Sequence, residues 1–506
     1  MKFLLTPFVL LSLLPGQDLP IAASGGGLGK SLTYDLSGGK PNQGFIFATS
    51  SARASIPLRF LDGMETRSFG IGFDLAAFWI YAPLDASGGA KLAVTVPNDA
   101  SLIGAAVLNQ AVTYPGVGGK ALDLVSEAVV VPLDTAGVFK TQSSVLSTPR
   151  QFATNIPLRD GRVLLVGGAG GVILWQTALQ STEVFDPATR SFSKGPDLLQ
   201  ARSSHSQTLL NDGRYLLVGG VDSKNIPTAR CEVFDPRTGT FTAVGSLMYK
   251  RTYHQAVLMR DGRVLVIGGF ADMGAILSAQ KALESGIRQT EIFDPRTNTW
   301  SLGGTLRYGR GAMGVQDIGN GKVLVIGGVV KGSFAPDLSN TCELYNTQTH
   351  QVTTARSITT RTAFMTTFQL PGNRVLVAGG DAGPRDSIRT YANKATRTCM
   401  IYNAGSNSWS NTASLPVATS GGDAITLRDG TLVLAGGGDN TLYWPHGNKS
   451  IYSFNVATSR WVTIGTLVTG RNSAETIEMQ AGGLAVIGGG IKNAARSTDS
   501  WEMMVR

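Results

Sequence analysis

The sequence GRVLLVGG at residues 161–168 decides the fold of this 506-residue chain, because the same phrase returns at regular intervals. Each copy is a short apolar strand that ends in two glycines. The copies are GRVLLVGG at 161–168, GRYLLVGG at 213–220, GRVLVIGG at 262–269, GKVLVIGG at 321–328, NRVLVAGG at 373–380, GTLVLAGG at 430–437 and GGLAVIGG at 482–489. Seven copies at a spacing of about 50–60 residues predict an array of like β-sheet units that bury their cores against one another.

Residues upstream of each Gly-Gly pair recur in a fixed register. An arginine precedes the first glycine at one constant spacing in five copies, at Arg150, Arg202, Arg251, Arg310 and Arg471. Arg361 stands one residue farther from its glycine, and the sixth copy has Thr419 in this position. Between the arginine and the glycines lie two apolar strands joined by a tight turn, such as Asp160-Gly161 or Asn320-Gly321. Such dipeptides favour a two-residue β-hairpin, in which both central residues need a positive φ.

Two further strands are predicted downstream of the glycines. The third strand has a glutamate before an apolar and an aromatic residue, at Glu183, Glu232, Glu291 and Glu343, while Met400 and Tyr452 replace it in copies five and six. A large apolar residue of the fourth strand follows at a constant spacing, at Phe192, Phe241, Trp300, Val352, Trp409 and Trp461. Each copy therefore predicts four antiparallel strands.

The seventh copy has a third strand near Trp501-Glu502 and no fourth strand after it. A sheet without that strand would expose an edge, which proteins avoid. Phe139 precedes Arg150 at nearly the spacing by which the other large fourth-strand residues precede the next arginine or Thr419. We therefore predict that residues 136–143 form the outer strand of the seventh unit and close the ring.

The repeat resembles the kelch family of β-propellers over about residues 136–506. The resemblance implies an all-β, seven-bladed propeller whose ligand face lies where the Gly-Gly strands end. It also implies that the repeated arginines ring the mouth of the central channel: Arg150, Arg202, Arg251, Arg310, Arg361 and Arg471. Guanidinium groups there could bind a carboxylate, sulfate or phosphate. The alternative is that each arginine binds carbonyl groups or the neighbouring glutamate and holds the blades together, and repetition in nearly every blade favours this reading.

Loops that differ between the blades are better candidates for a site, because a binding site usually breaks the symmetry of a repeat. Blade one has Trp175 after its glycines, and blade six has Tyr443, Trp444 and His446. Blades six, seven and one are consecutive, so these rings could share one side of the mouth and stack on sugar rings. The alternative is that they pack against the blades. Long loops at 270–289 and 381–397 are candidates for lids or partner surfaces.

The histidines and cysteines predict neither a metal site nor a cofactor. His205 and His254 stand three residues after their arginines in adjacent copies, with no third ligand in a comparable position. The three cysteines share one position on the third strand, at Cys231, Cys342 and Cys399. Equivalent positions in neighbouring blades lie beyond the Cα separation of roughly 7 Å that a disulfide permits, so we expect free thiols. These residues also do not match the copper site of galactose oxidase, which uses two Tyr, two His and a Cys–Tyr crosslink.

The N-terminal part predicts export and a second domain. One lysine, an apolar run at 3–14 and small residues near 22–24 resemble a signal peptide over 1–23, and the run is shorter than the roughly 20 residues of a membrane span. We therefore expect a secreted, cell-surface or periplasmic protein. Residues 27–135 carry short alternating strands without the Gly-Gly repeat, which predicts a small β-sandwich-like domain before the propeller at 136–506. The net charge of +9 comes without a basic run, so we expect no nucleic-acid partner.

We expect a monomeric, exported binding module for a protein or glycan ligand, with an anionic ligand as one option. The first alternative is a carbohydrate-active enzyme, mutarotase- or oxidase-like, that uses channel arginines and acidic groups. The second alternative is a structural cell-surface protein. We predict no catalytic residue.

Overall fold

The computed structural model describes residues 21–24, 27, 30–38, 43–50, 53–57, 68–71, 79–96, 98, 106–114, 129–132, 137–171, 176–276, 281, 284–331, 336–383, 394–438, 447–479, 483–491 and 496–505. Apart from a short 3-10 helix at Met273–Ile276 and a helical turn near residue 284, the regular structure of these residues is β. The predicted all-β propeller fold is confirmed, and it consists here of seven four-stranded antiparallel sheets.

We call these sheets blades one to seven, and in each the strand that follows the arginine position is innermost. The inner strands of neighbouring blades contact one another around the channel. From the inner to the outer strand, the bounds are Thr154–Pro157, Val163–Val166, Thr182–Asp186 and Ser191–Lys194 in blade one; Ser206–Leu209, Tyr215–Val218, Cys231–Asp235 and Thr240–Val244 in blade two; Gln255–Leu258, Val264–Ile267, Gln289–Asp294 and Thr299–Thr305 in blade three; Gly314–Asp317, Lys322–Ile326, Cys342–Asn346 and Val352–Ala355 in blade four; Thr366–Leu370, Arg374–Ala378, Cys399–Asn403 and Ser408–Asn411 in blade five; Asp423–Thr426, Leu432–Ala435, Asn448–Asn455 and Arg460–Arg471 in blade six; Glu475–Glu478, Leu484–Ile487, Trp501–Met504 and Lys140–Thr141 in blade seven.

The ring closes as the sequence predicts, with the outer strand of blade seven taken from the start of the propeller. Lys140 pairs with Met503 and Thr141 with Glu502. Phe139 is buried among apolar residues of blades six and seven, which include Met504. The predicted closure is therefore confirmed, with Lys140–Thr141 as the paired part of the segment 136–143, and residues far apart in sequence complete one sheet.

The core lies between the blades, where the second and third strands are buried on both faces. The aromatic residue of the third strand packs on the large residue of the fourth strand of the same blade. Ring centroids are 5.2 Å apart for Phe185 and Phe192, and 4.7 Å apart for Phe234 and Phe241. The two residues of each pair are cross-strand partners in the sheet register, which accounts for their constant spacing in sequence.

The two glycines after the second strand are required because other backbone segments approach them closely. In blade one, Gly167 has φ +58° and Gly168 has φ +90°. A Cβ atom on Gly167 would lie 2.5 Å from the carbonyl oxygen of Arg202, and one on Gly168 would lie 2.8 Å from that of Gln151. Only glycine fits both the backbone conformation and the space.

The N-terminal segment is also β-structured. A three-stranded sheet contains Ile21–Ser24, Ser31–Leu36 and Ala90–Thr95. A four-stranded sheet has the order Trp79–Pro83, Gly44–Ser50, Ala106–Tyr114 and Val129–Pro132, and Arg53–Pro57 pairs with Ser68–Ile71. Strand Ile21–Ser24 also contacts Val129–Pro132, so the two larger sheets meet at these strands.

Candidate functional site at the loop face of the propeller

Five of the repeated arginines form buried ion pairs with the repeated glutamates of the same blade. We call these pairs the clamps: Arg150–Glu183, Arg202–Glu232, Arg251–Glu291, Arg310–Glu343 and Arg471–Glu502. The Arg251 and Glu291 side chains are 0% and 1% exposed, and their Nη2 and Oε1 atoms are 2.5 Å apart. Charges so deeply buried are held only when each finds its partner.

Each clamp explains why the spacing from the arginine to the first glycine is constant. The Nη1 atom of Arg251 donates to the carbonyl oxygen of Gly268 at 2.9 Å, and the other four clamps repeat this bond. The carboxylate of Glu291 accepts the N–H groups of Met248 and Tyr249 at 2.6 and 3.2 Å. The clamp therefore ties the segment that enters a blade to the second and third strands of that blade.

Burial has a cost for these guanidinium groups. Desolvation lowers the pKa of Arg150, Arg251, Arg310 and Arg471 from the ordinary value, and the paired glutamate opposes that shift in each case. The head groups lie against the second and third strands, where a ligand in the channel could not reach them without opening the blade. This geometry fits the alternative in which the repeated arginines hold the blade together and do not bind a ligand.

Blades five and six lack both members of the clamp. In blade five, Thr362 takes the clamp position, and its carbonyl oxygen accepts from Gly328 just as that of Arg202 accepts from Gly168. Blade five has Met400 in place of the glutamate, and blade six combines Thr419 with Tyr452. A lone glutamate or arginine buried here would lack its counter-ion, so the two residues are replaced together.

Arg361 differs from the rest of the arginine series. It lies one residue before the clamp position, and its Nη1 atom donates to Asp337 at 2.8 Å and to the carbonyl oxygen of Leu338 at 3.0 Å. Its side chain is 35% exposed, whereas the five clamp arginines are at most 1% exposed. Among the predicted arginines, Arg361 is therefore the candidate for contact with a ligand.

The loops after the Gly-Gly pairs start as short ribbons on one face, which we call the loop face. Residues that follow the arginine position pair with residues that follow the glycines, as Gln151 does with Ala169 and Asn472 with Gly490. The ribbons include Ala169–Gly170 with Thr177–Ala178, Val329–Lys331 with Pro336–Leu338, Thr362–Ala363 with Asp381–Ala382 and Lys394–Ala395, and Gly490–Ile491 with Arg496–Ser497. The predicted aromatic candidates Trp175, Tyr443, Trp444 and His446 lie outside the described residues.

A feature that the sequence reasoning missed surrounds the channel just inside the loop face. The second residue after each clamp position has a left-handed backbone, with φ between +49° and +60°: Phe152, Ser204, Tyr253, Ala312, Phe364, Gly421 and Ser473. The backbone N–H of such a residue donates to the carbonyl oxygen of the equivalent residue in the preceding blade, as Ala312 does to Tyr253. Five such links have donor–acceptor distances of 2.9–3.4 Å, and we call this ring the belt.

Two aromatic side chains of the belt contact each other. Tyr253 in blade three and Phe364 in blade five meet edge to face, with ring centroids 6.4 Å apart. Between them lies Ala312 of blade four, whose small side chain leaves room for the two rings. Phe364 is 1% exposed and Phe152 is 6% exposed, while Tyr253 is partly exposed. The belt therefore brings two aromatic rings into contact across blade four.

The histidines and cysteines have packing roles in the structure. The Nε2 atom of His254 lies 2.9 Å from Ser206 Oγ in the neighbouring blade, and burial lowers the pKa of His254 to about 3. The three cysteines are free and buried, and desolvation raises the pKa of Cys231 to about 12 and that of Cys342 and Cys399 to about 11. In the described part of the chain, no three His, Cys, Asp or Glu side chains are grouped to hold a metal ion. Nor does any helix there have the length and apolar character needed to cross a membrane.

Comparison with known proteins agrees with this architecture. The Kelch motif model matches residues 251–307. No curated protein sequence matches the chain. A fungal alcohol oxidase of the AA5 family, in complex with copper, has a TM-score of 0.55 at 17% identity over 72% of this chain and 76% of that chain. The structure of YjhT has a TM-score of 0.47 at 12% identity over 63% of this chain and 98% of that chain.

The 17% identity of the alcohol oxidase shows a shared fold and carries no activity across. The matched motif spans blade three from Arg251 through its outer strand, the same strand order recurs in all seven blades, and the clamp recurs in five of them. The chain therefore has a β-propeller fold with a Kelch motif at residues 251–307.

Proposed function

We propose that this protein is an exported binding module that takes a protein or carbohydrate ligand on its loop face. The observation that carries the proposal is the contrast between a shared scaffold and unlike loops. Five clamps and the belt hold the loop face in nearly the same way from blade to blade, whereas the loops that leave it differ in length and composition. Rigid scaffolds that present variable loops are typical of binding surfaces.

The mutarotase- or oxidase-like alternative receives less support. It requires arginine and acidic groups that reach a substrate in the channel. Five clamp arginines and their glutamates are buried against each other, so these side chains do not reach into the channel. An oxidase site with a cysteine would also need an accessible thiol, but the three cysteines lie buried on third strands.

Export is part of the proposal and rests on the N-terminal sequence. The described chain starts with strand Ile21–Ser24, in which Ile21 pairs with Leu36 and Ser24 with Thr33. Cleavage after residue 23 would remove most of that strand, so we propose that the signal peptide is cleaved before residue 21. Mass spectrometry of the protein secreted by its host measures the mature N-terminus, and an intact Met1 would contradict export by a cleaved signal.

The binding proposal is tested on a glycan array and by protein cross-linking at the cell surface, with Trp444→Ala and Trp444→Phe beside the parent protein. We expect a ligand that Trp444→Ala loses and Trp444→Phe retains, because Phe keeps an aromatic face for stacking. Equal melting temperatures of the three proteins serve as the folding control. A protein that captures neither a glycan nor a protein would instead support the structural cell-surface role.

A further inference from the structure

We propose that a cleft between blades three and four binds a small carboxylate that also carries hydroxyl groups, such as a hexuronate. The cleft lies at the end of the blades opposite the loop face and has a volume of about 400 Å³. The side chains that line it belong to the turns of the two blades: Arg260, Asp261, Arg263, Asn320, Thr347 and Gln348. This site is separate from the loop face, and the inference does not depend on binding there.

The strand register brings the turns on the two sides of the cleft together. In blade four, strand Lys322–Ile326 starts at the hairpin turn Asn320-Gly321 and pairs through Lys322 with Asn346, the last residue of the third strand. The next turn, Thr347-Gln348, therefore lies beside the hairpin, and the Thr347 N–H donates to the carbonyl oxygen of Gly321 at 2.8 Å. The hairpin turn of blade three, Asp261-Gly262, forms the other side of the cleft.

The seam between blades two and three is closed at the equivalent place. The Nη2 atom of Arg214 in blade two donates to the carbonyl oxygen of Pro295 in blade three at 3.2 Å. Asn211 fills the space beside Gly262, where a Cβ atom would lie 2.9 Å from the amide nitrogen of Asn211. The repeat can therefore close such a seam with its own side chains.

Blade three leaves its guanidinium groups available in the open seam. Arg260 and Arg263 take the positions that Asn211 and Arg214 have in blade two. The Nε and Nη2 atoms of Arg263 are 2.8 and 2.7 Å from Asp261, and its Nη1 atom has no acceptor among the residues that the structure describes. Arg260 is exposed and forms no ion pair with any described residue. The cleft thus has one unpaired cation, and a guanidinium group binds a carboxylate through two parallel hydrogen bonds.

Blade four has asparagine at two positions where the repeat has aspartate. Asn320 stands where blade two has Asp212, and Asn346 stands where it has Asp235. Blade one carries equivalents of both arginines of blade three, but by the repeat they lie opposite the two aspartates of blade two. An anion between blades three and four meets no carboxylate at these two positions of blade four, which favours binding there.

The neutral groups of the cleft select for hydroxyl groups on the ligand. The amides of Asn320 and Gln348 each offer a donor and an acceptor, and both side chains are exposed. The Thr347 hydroxyl donates to the carbonyl oxygen of Gly321 at 3.1 Å, so its oxygen can still accept a hydrogen bond. The volume lies within the roughly 300–1,000 Å³ of small-molecule sites. A hexuronate combines one carboxylate with several hydroxyl groups on a single ring, and it reaches these side chains without any opening of the blades.

The test is isothermal titration of the full chain with D-glucuronate and D-galacturonate at low ionic strength, beside D-glucose and D-galactose. We expect the two hexuronates to bind at least tenfold more tightly than the uncharged sugars. Arg260→Asn copies blade two and should weaken hexuronate binding about tenfold, and Asn320→Asp should do the same by repulsion. Arg159→Asn is the matched control, because Arg159 is exposed at the same position of blade one and does not line the cleft. All three changes are at exposed positions, so equal melting temperatures serve as the folding control.

Four results would overturn the inference. Hexuronate binding that Arg260→Asn and Asn320→Asp leave unchanged would place the site elsewhere. An equal loss in Arg159→Asn would show a general effect of net charge, and equal affinity for glucose and galactose would show that the carboxylate is not recognised. Absence of hexuronate binding at millimolar concentration overturns the site as well. None of these results bears on loop-face binding, which the Trp444 variants test separately.

Discussion

The clamp of blade three allows a quantitative test of its role, because blade five shows how the fold works without one. Arg251→Thr removes the cation paired with Glu291. The Glu291 side chain is 1% exposed, and its carboxylate would still accept hydrogen bonds from the N–H groups of Met248 and Tyr249. Breaking a buried ion pair by deleting one partner costs about 3–5 kcal/mol. We expect this loss in the free energy of unfolding for Arg251→Thr and for Glu291→Met.

The double variant Arg251→Thr/Glu291→Met copies Thr362 and Met400 of blade five. It leaves no charge of the clamp buried, and its cost comes from two backbone N–H groups without their acceptor, about 2 kcal/mol in all. We therefore expect the double variant to be more stable than either single variant. Urea denaturation followed by tryptophan fluorescence gives the three values, and Arg251→Lys serves as a control that keeps the charge without the guanidinium fork.

The clamp would be refuted as a coupled unit if the losses of the two single variants simply added in the double variant. A small loss in Arg251→Thr, below about 1 kcal/mol, would equally contradict a structural role. In that case the arginine series would again be a candidate for ligand binding.

Three further predictions concern stability and reactivity. Deletion of 136–145 should lower the melting temperature of the whole propeller, because it removes the outer strand of blade seven and Phe139 from the core; an unchanged melting temperature would contradict the closure. The thiols of Cys231, Cys342 and Cys399 should not react with iodoacetamide at pH 8 in the folded protein, since burial raises each pKa to about 11 or 12, and labelling that precedes unfolding would contradict this. His254 has a pKa lowered to about 3, so the unfolded chain binds the proton more tightly, and stability should fall as the pH drops from about 6.5 toward 3. Thermal melts of His254→Gln should show a smaller loss over that pH range, and an equal loss would exclude His254 as its cause.

Most of the fold could be predicted from the repeat, because strand periodicity and turn chemistry are local properties. The Gly-Gly strands, the spacing from Glu183 to Phe192 and the role of Phe139 were all predicted and found. Arg361 was aligned with the clamp arginines from sequence, but the backbone bonds place Thr362 in that position. The constant spacing to the first glycine, from which Arg361 departs by one residue, agrees with the bond that the Gly328 N–H donates to Thr362. The arginine and the glutamate of the clamp are both missing in blades five and six. This joint loss is visible in the sequence and could have predicted that the two residues form a pair.

The candidate site was much less predictable. The belt residues have no common sequence signature, because Phe152, Tyr253 and Ala312 share a left-handed backbone that such residues rarely adopt. Gln151, Ser203, Thr252 and Asn472 are ordinary polar residues, and their burial arises only from the assembled ring. The sequence instead pointed to loop aromatics such as Trp444, which lies outside the described residues, and gave no sign of the belt.

The sequence alone determined that this chain builds repeated four-stranded blades and that the first strand of the propeller must complete its last sheet. Those conclusions follow from periodicity and from the need to cover sheet edges, which are local or chain-level constraints. Only the tertiary structure decided that the repeated arginines point into clamps and that Tyr253 and Phe364 meet edge to face across blade four. The reason is physical: the direction of a side chain and the partners of a buried polar atom depend on the neighbouring blade, which lies about 50 residues away in the sequence.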